Sequence, residues 1–204
     1  MLFRSLAAAD GFRLAVFNLE LNGVGQEREL IVPARALQEL SRLLGEAQQP
    51  ARMTVNSAQT QVLFDLGHAT LVANLIQGTF PNYQQLIPAS SATHTEVSVN
   101  EFKQETRLAS IFARDGSGIV RLIATPGAAG VPGRLLVTAR AEEVGNNEGE
   151  IDAMVTGEEA KIAFNSRYLQ DVLNVLTTDR VAIETSSPSA PGVLRPVEIG
   201  RAHV

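Results

Sequence analysis

Two stretches far apart in this 204-residue chain are written to one plan, and any fold must give both the same kind of surroundings. Pro33-Ala34-Arg35-Ala36-Leu37-Gln38-Glu39-Leu40 lines up with Asn165-Ser166-Arg167-Tyr168-Leu169-Gln170-Asp171-Val172, and Leu44 falls opposite Leu176. Each stretch follows a short apolar run, opens on a helix-start signal, carries arginine two places in, and continues Leu-Gln-acid. The repeat predicts a duplicated α+β unit whose helices do the same job.

Between the copies lies Gly78-Thr79-Phe80-Pro81-Asn82-Tyr83-Gln84-Gln85-Leu86-Ile87-Pro88. It is too apolar for a free linker and too rich in turn formers for the interior of a strand or helix. We read it as a packed connector between two domains, residues 6–90 and 91–197. A content of 45% apolar and 19% charged residues is that of an ordinary globular protein, and no apolar run reaches the roughly 20 residues of a membrane helix. With no cysteine there is no disulfide framework or thiolate metal site, which is compatible with a cytoplasmic protein. A net charge of -5 means that any contact with nucleic acid must come from basic residues gathered on one face.

The ends are unusual. The codons GTG CTC TTC CGA TCT, with GTG as start, would encode the first five residues, and their reverse complement AGATCGGAAGAGCAC fits within possible codons for Glu198-Ile199-Gly200-Arg201-Ala202-His203. An inverted DNA word at both ends is what a sequencing adapter flanking a short insert leaves. Residues 1–5 and 198–204 are therefore expected to be non-native tails on an internal piece of a longer protein.

Along the chain, residues 13–21 follow the turn pair Asp10-Gly11 and predict strand, tight turn, strand. Residues 29–32 predict a strand running into Pro33, which opens a helix burying Leu37, Leu40, Leu43 and Leu44 and ending near Gly45. Strands follow at 52–55, 61–66 and 69–75, with Gly67-His68 as a hairpin turn. This order suggests an antiparallel sheet with helices on one face. Past the connector we expect a strand at 93–99, then a helix capped by Asn100 that runs to Phe112 and buries Phe102, Leu108, Ile111 and Phe112. Asp115-Gly116-Ser117-Gly118 reads as a turn, followed by strands at 119–124, 134–141 and 150–155 and an exposed loop at 125–133. A strand at 161–164, a helix at 166–176 capped by Asn165, and a strand at 181–185 close the readable pattern.

At four of these places the residues resemble one family. Ala9-Asp10-Gly11-Phe12-Arg13-Leu14-Ala15, Ile31-Val32-Pro33, Gly78-Thr79-Phe80-Pro81-Asn82-Tyr83 and Phe164-Asn165-Ser166-Arg167-Tyr168-Leu169-Gln170-Asp171-Val172-Leu173 stand in the order found in the bacterial DNA polymerase III beta subunit, the sliding clamp. The similarity runs from about Leu6 to Val197. It implies a DNA-clamp fold, with antiparallel sheets outside and helices lining a pore. It also implies a processivity factor that performs no chemistry, needs no cofactor or metal, and encircles duplex DNA as a homodimer ring. Against the family's three domains, the chain would hold an incomplete middle domain and a C-terminal domain lacking its last strand.

Two sites follow from the resemblance. Helices lining the hole need scattered positive charge that meets phosphates without reading bases. Arg35 matches a basic family position that faces DNA, and Arg42, Lys103, Arg107 and Arg167 lie on the same class of helices. The plain alternative for each is a solvated helix face. The second site is an apolar pocket in which the replicative polymerase and the clamp loader insert short peptides. Gly11, Phe12, Arg13 and Leu14 match one wall, Pro81, Gln85 and Leu86 another, and Asn165 and Tyr168 the far side, with Ser189 and Pro191 near further pocket positions. Phe12 and Gln85 stand where other members often carry different side chains, and Leu14 and Leu86 could equally be plain core.

Rival readings are a hydrolytic enzyme and a stand-alone peptide-binding module that forms no ring. His68 and His94 are the candidate bases, but neither stands in a nucleophile or metal spacing. The glycine-rich loop at 125–133 lacks the Gly-Lys-Ser/Thr of a phosphate loop, and Asp115-Gly116-Ser117-Gly118 is too short for a calcium loop.

Overall fold

In the computed structural model, which describes residues 3–20, 28–114, 116–128, 131–141 and 145–197, the Asp10-Gly11 signal forms a hairpin. It joins β1 (Phe3–Ala9) to β2 (Leu14–Glu20), paired antiparallel from Ala9↔Leu14 to Phe3↔Glu20. The chain divides into two compact units, Met1–Tyr83 and Gln84–Val204, with the break inside the connector. Among the positions discussed above, 1–2, Leu21, Asp115, 129–130 and 198–204 lie outside the described residues.

In the first unit the strand expected at 29–32 shrinks to a single bridge, Ile31↔Ile76, because Pro33 and the helix behind it end the ladder at once. Helix α1 (Ala34–Leu44) starts after Pro33 and stops at Gly45. It packs against a three-stranded antiparallel sheet of β3 (Arg52–Val55), β4 (Gln61–Asp65) and β5 (Thr70–Asn74). At the β4–β5 hairpin the Leu66 amide donates to the Ala69 carbonyl, and the Asp65 carboxylate accepts from the Gly67 amide. The core is small: Val62, Phe64, Ala73 and Leu75 are buried, with Leu30, Val32, Ala36, Leu40, Val55 and Leu71 packed around them.

The four-leucine face expected for α1 needs correction. Ala36, Leu40 and Leu43 are half-buried, whereas Leu37 and Leu44 are 40% and 43% exposed. Residues 36, 40 and 43 form one narrow stripe, and 37 stands about 100° round the helix from 36, beyond the reach of a sheet three strands wide.

A 3-10 turn, Tyr83–Leu86, starts on the last residue of the first unit, and the second unit continues with β6 (Thr93–Ser98), α2 (Val99–Arg114), β7 (Ile119–Thr125), β8 (Gly133–Ala141), β9 (Gly145–Gly157), β10 (Ala160–Asn165), α3 (Ser166–Val175), β11 (Arg180–Thr185) and β12 (Val193–Val197). The seven strands form one antiparallel sheet in the order β10-β7-β8-β9-β6-β11-β12. Long β9 serves both halves: its first part pairs with β8 as far as Ala153, and its last part, from Met154, pairs with β6. The buried faces of both halves meet α2 and α3 around Val97, Phe102, Leu122, Leu135, Val137, Leu169, Leu173, Val181 and Ile183.

Three expectations are corrected here. The α2 cap is Ser98, whose hydroxyl accepts from the Glu101 amide at 3.4 Å, so Asn100 lies inside the helix. The buried stripe of α2 is Val99, Phe102, Thr106, Ala109 and Ala113, at alternating three- and four-residue steps. Leu108 and Ile111 point away from it and are 42% and 50% exposed; small alanines let α2 lie close to the sheet. β9 begins five residues before the expected 150, because pairing with β8 recruits Asn146, Asn147, Glu148 and Gly149 despite their poor strand propensity. β12 extends the pattern beyond 185. Pro196 inside it reads as a breaker, yet β12 is the edge of the sheet, where a missing amide donor is tolerated.

Candidate functional site

Asp10 builds the sharpest local geometry in the first unit. Its Oδ1 accepts from the amides of Phe12 and Arg13, both at 3.1 Å, and its Oδ2 accepts from Arg13 Nε at 2.9 Å. Gly11 takes the left-handed conformation this turn requires, with φ at 87°. The first of these amide bonds, with the Arg13 guanidinium behind it, holds the Asp10 carboxyl below the usual carboxylate range. Phe12 is thereby displayed at the turn, 83% exposed, while Leu14 is half-buried at the start of β2. Pro81 is exposed in the same unit, and close by in sequence Phe80 meets Tyr83 edge-on with ring centres 6.5 Å apart.

The other candidates belong to the second unit. Gln85 and Leu86 are exposed on the 3-10 turn. Asn165 caps α3 through its side-chain oxygen, which accepts from the amides of Arg167 at 3.0 Å and Tyr168 at 3.4 Å. Ser189 and Pro191 lie in the β11–β12 loop, where the Ala190 amide donates to the Ser187 hydroxyl at 3.1 Å. This loop reaches β10 through a contact the sequence did not signal: a Cβ built on Gly192 would sit 2.5 Å from Phe164 Cζ and 2.8 Å from Ile162 Cδ1. Ser189 and Pro191 are thus tied to the strand end that leads into Asn165. Gly192 was missed because a glycine after a proline reads as an ordinary turn; only its contact with β10 marks it.

The basic candidates all lie on exposed helix positions. Arg35 and Arg167 occupy the second residue of α1 and α3, so the repeat is a structural equivalence and not only a likeness of letters. Arg42 is engaged by Glu39, with Nε 3.1 Å from Oε1; the bond raises the arginine's pKa and lowers that of the glutamate. Lys103 and Arg107 stand one turn apart on α2, which packs beside α3.

Both candidate histidines have structural partners. His68 Nδ1 lies 3.2 Å from the Leu66 carbonyl in the β4–β5 turn. His94 sits in a cross-strand row of charges, 3.1 Å from Glu96 and 3.9 Å from Glu184, which in turn meet Arg180 and Arg195. Among the described residues no group of three His, Asp or Glu side chains is placed to hold a metal ion. A shallow depression of about 530 Å³ is lined by Glu46, Gln48, Gln49, Leu66 and His68, of which only His68 was a candidate, as a base in the hydrolase reading. No described helix is long and apolar enough to cross a membrane.

Paired helices backed by antiparallel sheet define an α+β architecture shared with sliding clamps. A Bacillus subtilis DNA polymerase sliding clamp superposes with a TM-score of 0.85 at 28% identity, over 94% of this chain and 49% of that one. A Bartonella birtlesii sliding clamp bound to griselimycin does so with a TM-score of 0.83 at 30% identity, over 95% and 51%. Residues 4–82 match the family described as DNA polymerase III beta subunit, central domain, and residues 84–203 match its C-terminal domain. The chain belongs to the DNA polymerase III beta subunit family. A Staphylococcus aureus beta sliding clamp is 30% identical over 190 residues, 93% of this chain and 48% of its own length. The chain spans about half the length of the curated relatives it matches.

Proposed function

We propose that the chain is the central and C-terminal part of a sliding clamp, a non-catalytic processivity factor that holds a replicative polymerase on duplex DNA in the cytoplasm. The observation that carries this reading is the equivalence of Arg35 and Arg167, exposed at the same position of α1 and α3 in units that match two consecutive domains of the family. Two such helices offer phosphate contacts without base readout, which a sliding ring needs. The exposed pair Leu108 and Ile111 on α2, and the edge strands β10 and β12, each paired on one side only among the described residues, support a second subunit closing the ring.

In this reading, partner peptides of the polymerase and clamp loader bind on the second unit where Leu86, Tyr168 and Pro191 supply apolar surface and Asn165 supplies a polar anchor. The griselimycin bound by the Bartonella birtlesii clamp supports a ligand site on proteins of this kind.

Salt-dependent binding to duplex DNA tests the proposal. Changing Arg35 and Arg167 to alanine should lower affinity evenly across sequences and flatten the log–log salt slope by about 0.9 for each phosphate that is no longer neutralised. An unchanged slope would remove both arginines from the DNA-facing role.

A further inference from the structure

We infer that Gly192 is a positioning residue for the second unit's share of the peptide-binding surface: because it has no side chain, the loop carrying Ser189 and Pro191 can rest on Phe164, the residue before the Asn165 cap. The inference rests on the peptide-binding reading above and assigns the spacing within that surface to one backbone contact.

The loop has little freedom to bend out of a steric conflict. The Ser186 hydroxyl at its start donates to the Ser90 carbonyl at 2.6 Å. The Ala190 amide donates to both the hydroxyl and the carbonyl of Ser187, making a closed turn. Pro191 fixes its own φ, and at Val193 the chain enters β12, paired with Glu184 of β11. Gly192 is therefore held between a closed turn and a paired strand.

The surface beneath it yields little as well. Ile162 is buried in the core, and the Phe164 ring packs against that core. Interiors packed to crystal-like density do not absorb an added methyl group without movement. A methyl at 192 would come within 2.5 Å of Phe164 Cζ, 3.1 Å of Phe164 Cε1 and 2.8 Å of Ile162 Cδ1. Either the ring swings aside or the loop lifts. A lifted loop changes the distance between Pro191 and Asn165, whose side chain is committed to capping α3 and cannot follow the loop.

The proposal predicts a compensating pair. Since the tightest conflict is with the tip of the phenylalanine ring, shortening that side chain should relieve most of it, leaving the methyl group 2.8 Å from Ile162 Cδ1. The test is calorimetric titration of the chain with griselimycin, using wild type, Gly192→Ala, Phe164→Leu and the double variant, with thermal unfolding of each recorded alongside. We expect Gly192→Ala to weaken binding about ten-fold, Phe164→Leu to weaken it less, and the double variant to bind more tightly than Gly192→Ala alone. A merely structural glycine would lower the unfolding temperature without a binding loss that Phe164→Leu repairs. Equal affinity of wild type and Gly192→Ala overturns the inference, as does a double variant no better than Gly192→Ala. Absence of griselimycin binding by wild type would instead overturn the peptide-binding reading on which the inference rests.

Discussion

Asp10 grips Arg13 at both ends, accepting its amide at 3.1 Å on Oδ1 and its guanidinium Nε at 2.9 Å on Oδ2. One carboxylate so used sets the path of the turn, displays Phe12 outward and fixes the guanidinium beside it. The arrangement links a surface aromatic to the ionisation of a single acid.

That link has a pH signature. The Asp10 carboxyl is held below its ordinary value, first by the Phe12 amide and then by the Arg13 side chain. A group with a depressed folded-state pKa contributes stability that is complete above its unfolded value of about 4 and is lost as pH falls through the lower folded value. The Phe12 and Arg13 amide resonances should therefore hold their positions down to about pH 4 and shift together below it. Asp10→Asn should abolish the shared titration. If the wild-type resonances move well above pH 4, the turn does not depend on this carboxylate.

Arg42 differs from Arg35 because Glu39 already engages it. Removing Arg35 should reduce the salt slope of DNA binding more than removing Arg42. Glu39→Gln should raise affinity at low salt by about two-fold by releasing Arg42 toward phosphate. Fluorescence anisotropy across a salt series gives both comparisons, and equal slopes for the two arginine variants would show that the ion pair does not matter.

The α3 cap has a defined cost. Asn165 accepts from two amides at the helix start, so Asn165→Ala should destabilise the second unit by about 1 kcal/mol. Asn165→Asp should retain most of it, since the acid also favours a helix N-terminus. Urea unfolding followed by far-ultraviolet circular dichroism separates the two variants, and an equal loss for both would argue that the cap matters only as an amide.

Burial separates the two units. Phe102 is completely buried on α2, and Phe102→Ala should cost about 3–5 kcal/mol. Leu37 on α1 is 40% exposed, and Leu37→Ala should cost less than about 1 kcal/mol. A large loss for Leu37→Ala in urea unfolding would show that something covers that face of α1 in solution.

Much of the architecture could be read from neighbouring residues. Asp10-Gly11, Gly67-His68, Pro33 and Asn165 each act within a few positions of themselves, and the turns, the helix start and the cap formed where their chemistry put them. The family resemblance stood on such local motifs, and the matches at 4–82 and 84–203 agree with it. The missed features depend on distant partners. Leu108 and Ile111 have the right spacing for a buried face, but the sheet offered its space to Ala109 and Ala113. β9 took in Asn146 and Asn147 because β8 lay beside them.

Where the chain turns, where its helices begin, that its units repeat and which family it belongs to are legible in the residues alone, because those properties rest on backbone preferences and short motifs. Which helix faces are buried, how far β9 and β12 run, and that Gly192 lies against Phe164 emerge from the folded chain. Such outcomes depend on excluded volume and hydrogen-bond pairing between residues distant in the chain, for which no local pattern of side chains carries a signal.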